Sequence, residues 1–381
     1  GFCTATCPTY QLLGDELDGP RGRIYLIKEV LEGKRATATT QLHLDRCLTC
    51  RSCETTCPSG VQYGRLVDIG RAVVDRQVPR SAGERATRYA LSKGLRSKAL
   101  FGTALLFGRA ARGMLPESLA RKVPQARSAG RWPAPRHARR MIVLLGCVQP
   151  TLAPSIDAAF ARVLDRIGIS AEGVSGGGCC GALPYHLNEQ AEGLDLARRN
   201  IDAWWPMIAR GAEAIVTTSS GCGVMVKDYG HLFAHDPAYA DKAARVAALA
   251  RDPVEVIGDE WKSIAGRVAM DRGSQRIAFH PPCTLQHGMK LKGRVEEILR
   301  ALGHELVPVA DAHLCCGSAG TYSILQPELA DELKRRKLAA LQAERPALIV
   351  SSNIGCQTHL ASGTSRPIRH WIEVLDQKML D

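Results

Sequence analysis

Aromatic residues are scarce in this chain: Phe, Trp and Tyr together make 5% of its 381 residues. A surface that stacks nucleic-acid bases needs such rings, and no nucleic-acid recognition motif accompanies the formal charge of +12, so nucleic acid is excluded as a partner. No run of about 18 apolar residues occurs, which excludes a bilayer-spanning helix. No secretory signal is read, because the chain opens on Cys3 and Cys7 within a polar run. The default compartment is therefore reducing, where cysteines serve metals or redox chemistry more often than disulfides. Neither a P-loop nor a dinucleotide fingerprint is read, so flavin or nucleotide would come from partners. Apolar residues at 45% and charged residues at 23% describe a globular chain, long enough for a core that needs no disulfide.

Acids are nearly absent from one segment. Residues 76–140 hold 16 Lys and Arg against Glu84 and Glu117, a local +14 that leaves the rest of the chain close to neutral. Within it, residues 99–108 (ALFGTALLFG) are apolar and flanked by Arg96, Lys98, Arg109 and Arg112. That run is too short to span a bilayer, but a basic helix with an apolar face can lie on an anionic membrane surface. Packing against a partner subunit or this chain is the other reading. Trp132-Pro133-Ala134-Pro135 reads as a linker, so 76–140 is expected to be a basic helical connector.

What is plentiful is cysteine, with 14 residues. Cys47, Cys50, Cys53 and Cys57, followed by Pro58, read C-x2-C-x2-C-x3-C-P, the spacing of a bacterial-type [4Fe–4S] ferredoxin. Zinc ribbons use two well-separated C-x2-C pairs instead. Cys3, Thr6, Cys7 and Pro8 repeat Cys53, Thr56, Cys57 and Pro58 at an offset of 50 residues. The counterparts of Cys47 and Cys50 would precede residue 1, so the chain is expected to lack the first two cysteines of a second motif. In two-cluster ferredoxins the fourth cysteine of each run serves the other cluster. That rule groups Cys7 with Cys47, Cys50 and Cys53, and leaves Cys3 and Cys57 to a second cluster. Helical patterns fall on residues 24–31 and 65–77. Arg21 and Arg23 between the motifs read as a solvated face, with support of cluster charge as the alternative. Residues 1–75 are expected to form an α-helical two-cluster module.

The remaining eight cysteines reveal a duplication. Cys283, Cys315 and Cys316 follow Cys147, Cys179 and Cys180 at an offset of 136 residues, and Cys356 follows Cys222 at 134. Each set reads C-x31-CC-G and then one more cysteine. Each also follows the order strand, helix, strand, Cys-Cys-Gly loop, helix, strand, which implies tandem α/β units over 141–270 and 271–381 with mainly parallel sheets. The cysteines are expected in loops just past strand ends, where open α/β sheets place ligands. Four thiolates per repeat suit a metal cluster in at least one repeat. A redox dithiol, a zinc site and buried structural cysteines are the alternatives. His280, His287 and His313 lie beside this second set and read as satisfied loop histidines more readily than as ligands or proton relays. Trp204 and Trp205 read as core or interface.

The two C-x31-CC-G repeats resemble the cysteine-rich CCG domains of the heterodisulfide reductase B subunit. Two ferredoxin motifs followed by two such domains resemble the glycolate oxidase iron–sulfur subunit family, which is related to subunits of lactate and glycerol-3-phosphate dehydrogenases. The stretches GFCTATCPTYQLLGDELDGPRGRIYLIK, DRCLTCRSCETTCPSG, TLQH, HLCCGSAGTY and NIGCQTHL carry that resemblance. It implies an electron-transfer subunit that binds [4Fe–4S] clusters and takes electrons from FAD-bearing subunits, which oxidise glycolate to glyoxylate. The electrons would pass to a quinone or other acceptor from a cytoplasmic position at the inner face of the membrane. In one respect the chain departs from the reductase pattern, which closes each repeat with C-x2-C: here Ser219 and Asn353 occupy the earlier position.

Overall fold

The computed structural model describes residues 1–120, 123–269 and 273–379. The N-terminal part is helical: Phe2–Ala5, Pro8–Leu13, Pro20–Leu31, Ala38–Asp45, Ser52–Thr55 and Tyr63–Gln77. Proline opens two of these helices, where its missing N–H costs nothing. Pro20–Leu31 buries Ile27 and Val30 against Tyr63–Gln77, and Gly70 lets Ile27 approach, since a Cβ there would stand 2.5 Å from its side chain.

In the basic segment, Ala82–Arg96 starts at a Ser81/Glu84 capping box and Lys98–Ala110 is capped by Ser97. Part of its positive charge is spent inside the molecule. Arg80 and Arg88 pair with Asp45, while Lys93 and Arg96 pair with Glu192. The helix Lys98–Ala110 nonetheless leaves Leu100, Leu106 and Phe107 exposed, with Met114 beyond them.

Two sheets follow, each of four parallel strands. β1 (Arg139–Val143), β2 (Ile169–Gly173), β3 (Ile215–Val216) and β4 (Ala250–Arg251) lie in the order β2-β1-β3-β4. β5 (Arg276–His280), β6 (Glu305–Leu306), β7 (Leu348–Ser351) and β8 (Ile368–His370) repeat it as β6-β5-β7-β8. The helical module and the parallel α/β repeats match the expected fold class. β4 and β8 are additions to the expected order, which ends at the third strand of each repeat.

The repeats trade helices. Ser155–Arg166 of the first packs on Trp371–Lys378, which follows β8 of the second. Arg294–Ala301 of the second packs on Pro253–Asp259, which follows β4 of the first. One hydrophobic core therefore runs through both, with Phe160 and Leu164 joined to Trp371 and Leu375. Asp376 pairs with Arg162 and Arg166 across this contact. Trp204 is buried in the first repeat's other core, with Trp205 packed at its edge.

Candidate metal centres

Cys7, Cys47, Cys50 and Cys53 line one recess of about 300 Å³, shared with Arg23 and Tyr63. The turn after Leu44 brings Cys47 and Cys50 to it, and the short helix Ser52–Thr55 carries Cys53. Thr49 and Arg51 adopt left-handed backbone at φ 52° and 57° as the chain wraps the recess. Burial, then Cys50, Cys47 and Cys7, raise the Cys53 thiol. Burial also raises that of Cys7, opposed by the Arg23 cation. Thiols so crowded lose protons readily only to a metal. Donors already point at the sulfurs: the Thr49 N–H (3.4 Å) and Tyr63 Oη (3.5 Å) at Cys47, and Arg23 Nη1 (3.9 Å) at Cys7.

The expectation that Arg23 is solvated is overturned, while Arg21 is indeed exposed and pairs with Glu16. Arg23 is buried because the sulfurs and the fully buried Asp18 need a cation there. Its guanidinium donates to His43 O, Thr9 Oγ1 and Asp18 Oδ1. Cys3 packs at the edge of a cluster formed by Cys47, Cys53 and Tyr63. Cys57 is half-exposed, and backbone N–H groups of Val61, Ser59 and Gly60 lower its thiol.

In the first repeat the four sulfurs interact electrostatically in sequence, Cys147 with Cys179, Cys179 with Cys180 and Cys180 with Cys222. Sharing a proton lowers Cys179 and raises Cys147. Asn200 and Tyr229 brace the Cys-Cys turn. Asn200 Nδ2 donates to Cys179 O (2.9 Å), the Gly178 N–H donates to Asn200 Oδ1 (2.8 Å), and Tyr229 Oη donates to Cys180 O (2.7 Å). Nothing in the sequence marked either residue. Residues 176–181 do have the letter spacing G-x-G-x-x-G, which qualifies the reading that no such pattern occurs. The loop is occupied by the Asn200 brace, and the helix after it has only five residues, Ala182–His186.

The second repeat repeats this order as Cys283, Cys315, Cys316 and Cys356. In both repeats the residue after the pair is glycine for a steric reason. Gly181 (φ 89°) and Gly317 (φ 88°) are left-handed, and a Cβ would stand 2.3 Å from Gly193 O and 2.5 Å from Ala330 O. The expected loop placement holds for the Cys-Cys pairs. It is corrected for Cys222 and Cys356, which sit in the first turns of Ser220–Leu232 and Ile354–Ala361. There the partial positive charge of the helix end favours an anionic sulfur. Asn353 is a cap in place of a fifth thiolate: its Oδ1 accepts from Gly355 N–H (2.8 Å) and its Nδ2 donates to Ser220 Oγ (3.3 Å).

The centres are not isolated from one another. Cys50 of the N-terminal recess packs against the buried cluster that holds Cys283 of the second repeat. A cleft of about 740 Å³ opens beside them, bordered by Cys50, Asp68, Tyr185, His186, Gly221 and Thr284. His186 Nδ1 and Asp68 Oδ1 are 3.0 Å apart there. His287 is satisfied, with Nδ1 2.9 Å from Thr55 Oγ1 and Nε2 2.9 Å from His313 O. His280 is not.

Known proteins fit this arrangement. A 4Fe-4S dicluster domain family matches residues 1–62, and the CCG cysteine-rich domain family matches 141–227 and 277–361. The chain is 55% identical, over all of its length and 92% of the relative's, to the glycolate oxidase iron–sulfur subunit of Escherichia coli strain K12. It is 30% identical to the probable glycolate oxidase iron–sulfur subunit of Bacillus subtilis strain 168, over 96% of this chain and 88% of that one. A lactate utilization protein A of Bacillus licheniformis is 23% identical over 63% of this chain and 100% of its own. With ferredoxin-type and paired CCG units in the same order and identity held from end to end of the alignment, this chain belongs to the family of glycolate oxidase iron–sulfur subunits.

Proposed function

We propose that this chain carries electrons within a glycolate-oxidising complex. Flavin-bearing subunits would convert glycolate to glyoxylate, and the chain would deliver the electrons to a quinone or other acceptor. The observation that carries this reading is the convergence of Cys7, Cys47, Cys50 and Cys53 on one recess, with Cys50 packed against the cluster that holds Cys283. Those four thiolates would hold one [4Fe–4S] cluster, which when bound supplies a one-electron carrier. Cys3 and Cys57 are the sulfurs this chain offers to a second. The eight CCG cysteines offer two further sites. A thiol or disulfide reductase is disfavoured, because the Cys315 and Cys316 sulfurs are buried away from any disulfide substrate.

Around these sulfurs the chain's own groups do the tuning. Arg23 neutralises charge at Cys7, and backbone N–H groups hold Cys57. The cleft beside Cys50 suits an acceptor that takes protons with its electrons, since the His186–Asp68 pair borders it. The helix Lys98–Ala110 suits contact with an anionic membrane surface, because its exposed leucines and Phe107 lie among basic residues. Among the described residues no helix is long and apolar enough to cross a membrane.

The test is iron and acid-labile sulfide quantitation with EPR on the anaerobically purified complex. Glycolate should reduce the iron–sulfur signals only when the flavin subunits are present. Persistent oxidation under those conditions would refute the assignment, and zinc without sulfide would refute the clusters.

A further inference from the structure

His280 ends β5 and is fully buried, yet neither ring nitrogen has a hydrogen-bond partner among the described residues. A buried polar group left without a partner is strongly disfavoured, so its presence needs a cause. The cause is visible beside it: a nitrogen of His280 and the sulfurs of Cys316 and Cys356 all lie within 4.8 Å of one another. Cys316 in turn interacts electrostatically with Cys315, and Cys315 with Cys283. The ring therefore points into the sulfur chain of the second repeat.

Among the described residues the first repeat has no such group. The 136-residue offset that relates the cysteines takes His280 to Leu144, a buried side chain with no donor atom. A second difference lies on the following helix. Lys337, seven residues after Ala330, is buried and donates to Asp311 O (2.6 Å). Seven residues after Gly193, the residue that Gly181 approaches, the first repeat has neutral Asn200.

We infer that His280 is a metal ligand of the second repeat, which thereby forms a mixed imidazole–thiolate centre while the first repeat offers sulfur alone. The centre would take a thiophilic transition metal, either a single zinc ion or an iron of a cluster. The inference is independent of the substrate oxidised by the complex.

The test uses the full chain within its complex, purified anaerobically with 15N-histidine labelling. Iron, zinc and sulfide are counted. Pulsed EPR then reads nitrogen coupling to iron, and zinc-edge X-ray absorption reads nitrogen in the zinc shell. One of the two should show a histidine nitrogen. His280→Leu, which copies Leu144 of the first repeat, should remove that nitrogen and lower occupancy of the centre at least about tenfold at limiting metal, within the usual effect of losing a ligand or its support. His280→Cys should keep the metal with sulfur ligands only. The EPR of the N-terminal cluster, unchanged in both variants, reports that the fold is intact. Sulfur-only ligation in the parent protein overturns the inference, as does full occupancy with an unchanged spectrum in His280→Leu.

Discussion

Thr6 Oγ1 and Thr56 Oγ1 lie 3.2 Å apart, so residues holding the same place in two motifs 50 positions apart hydrogen-bond to each other. The helices Phe2–Ala5 and Ser52–Thr55 that carry Cys3 and Cys53 pack together around this contact. The two motifs thus face one another, and a cysteine of one reaches the recess of the other.

That exchange predicts which substitutions resemble each other. Cys7→Ser should remove the same EPR signal as Cys47→Ser, along with about four irons per chain. Cys57→Ser should spare that signal. Loss of the Cys47 cluster in Cys57→Ser, with retention in Cys7→Ser, would reverse the ligand assignment.

Arg23 should matter to both potential and stability. Asp18 is fully buried among Arg23 (3.3 Å), Arg46 (2.9 Å) and His43 (3.1 Å). Arg23→Gln removes the more deeply buried of the two arginines and should cost about 3–5 kcal/mol, as for breaking a buried ion pair. It should also lower the reduction potential of the cluster at Cys7, because a cation favours the more negative, reduced state. Arg23→Lys should recover much of the potential. A redox titration followed by EPR distinguishes the three proteins.

Asp252 predicts a pH dependence. Its Oδ1 accepts from Val254 N–H (2.9 Å), but Oδ2 is buried without a partner among the described residues, and burial pushes the carboxyl up to about 7. A group raised in the folded state stabilises fully below its unfolded value, near 4. That contribution is lost as pH rises through about 7. Asp252→Asn keeps the cap and should flatten this slope, adding on the order of 2–4 kcal/mol at pH 8 relative to pH 4. Denaturant unfolding at the two pH values checks it, and an unchanged slope would refute it.

The exposed face of Lys98–Ala110 predicts membrane behaviour. Leu106 and Phe107 are 67% and 69% exposed, so Leu106→Glu with Phe107→Glu should leave the fold intact. Binding of the complex to vesicles rich in anionic lipid should fall at least about tenfold, since buried apolar area drives such contacts. Equal binding by both proteins would remove this helix from the membrane reading.

The cysteines were legible because their spacing is covalent. A three-residue interval between thiolates and a constant 136-residue offset survive in the sequence whatever the packing. The sheets were legible for a similar reason, as β1, β5 and β7 each contain a short apolar run, at 141–143, 277–279 and 348–350. What could not be read depends on segments meeting in space. Cys50 packing against the cluster that holds Cys283 joins residues more than two hundred positions apart. Arg23 looked solvated because its partners Asp18 and Cys7 come from separate turns. His280 looked like its neighbour His287, and only the packing shows that one is satisfied and the other is not.

The traded helices also limit how far this architecture can grow. In each repeat a helix after the last strand, Pro253–Asp259 or Trp371–Lys378, lies on a helix of the other, Arg294–Ala301 or Ser155–Arg166. Both docking faces are consumed by this reciprocal exchange, as in a two-fold pair that closes on itself. A third repeat would find both of these faces taken, where a solenoid would offer one to the next unit. A single repeat cut from the chain would expose the Phe160 or the Trp371 side of the common core to water.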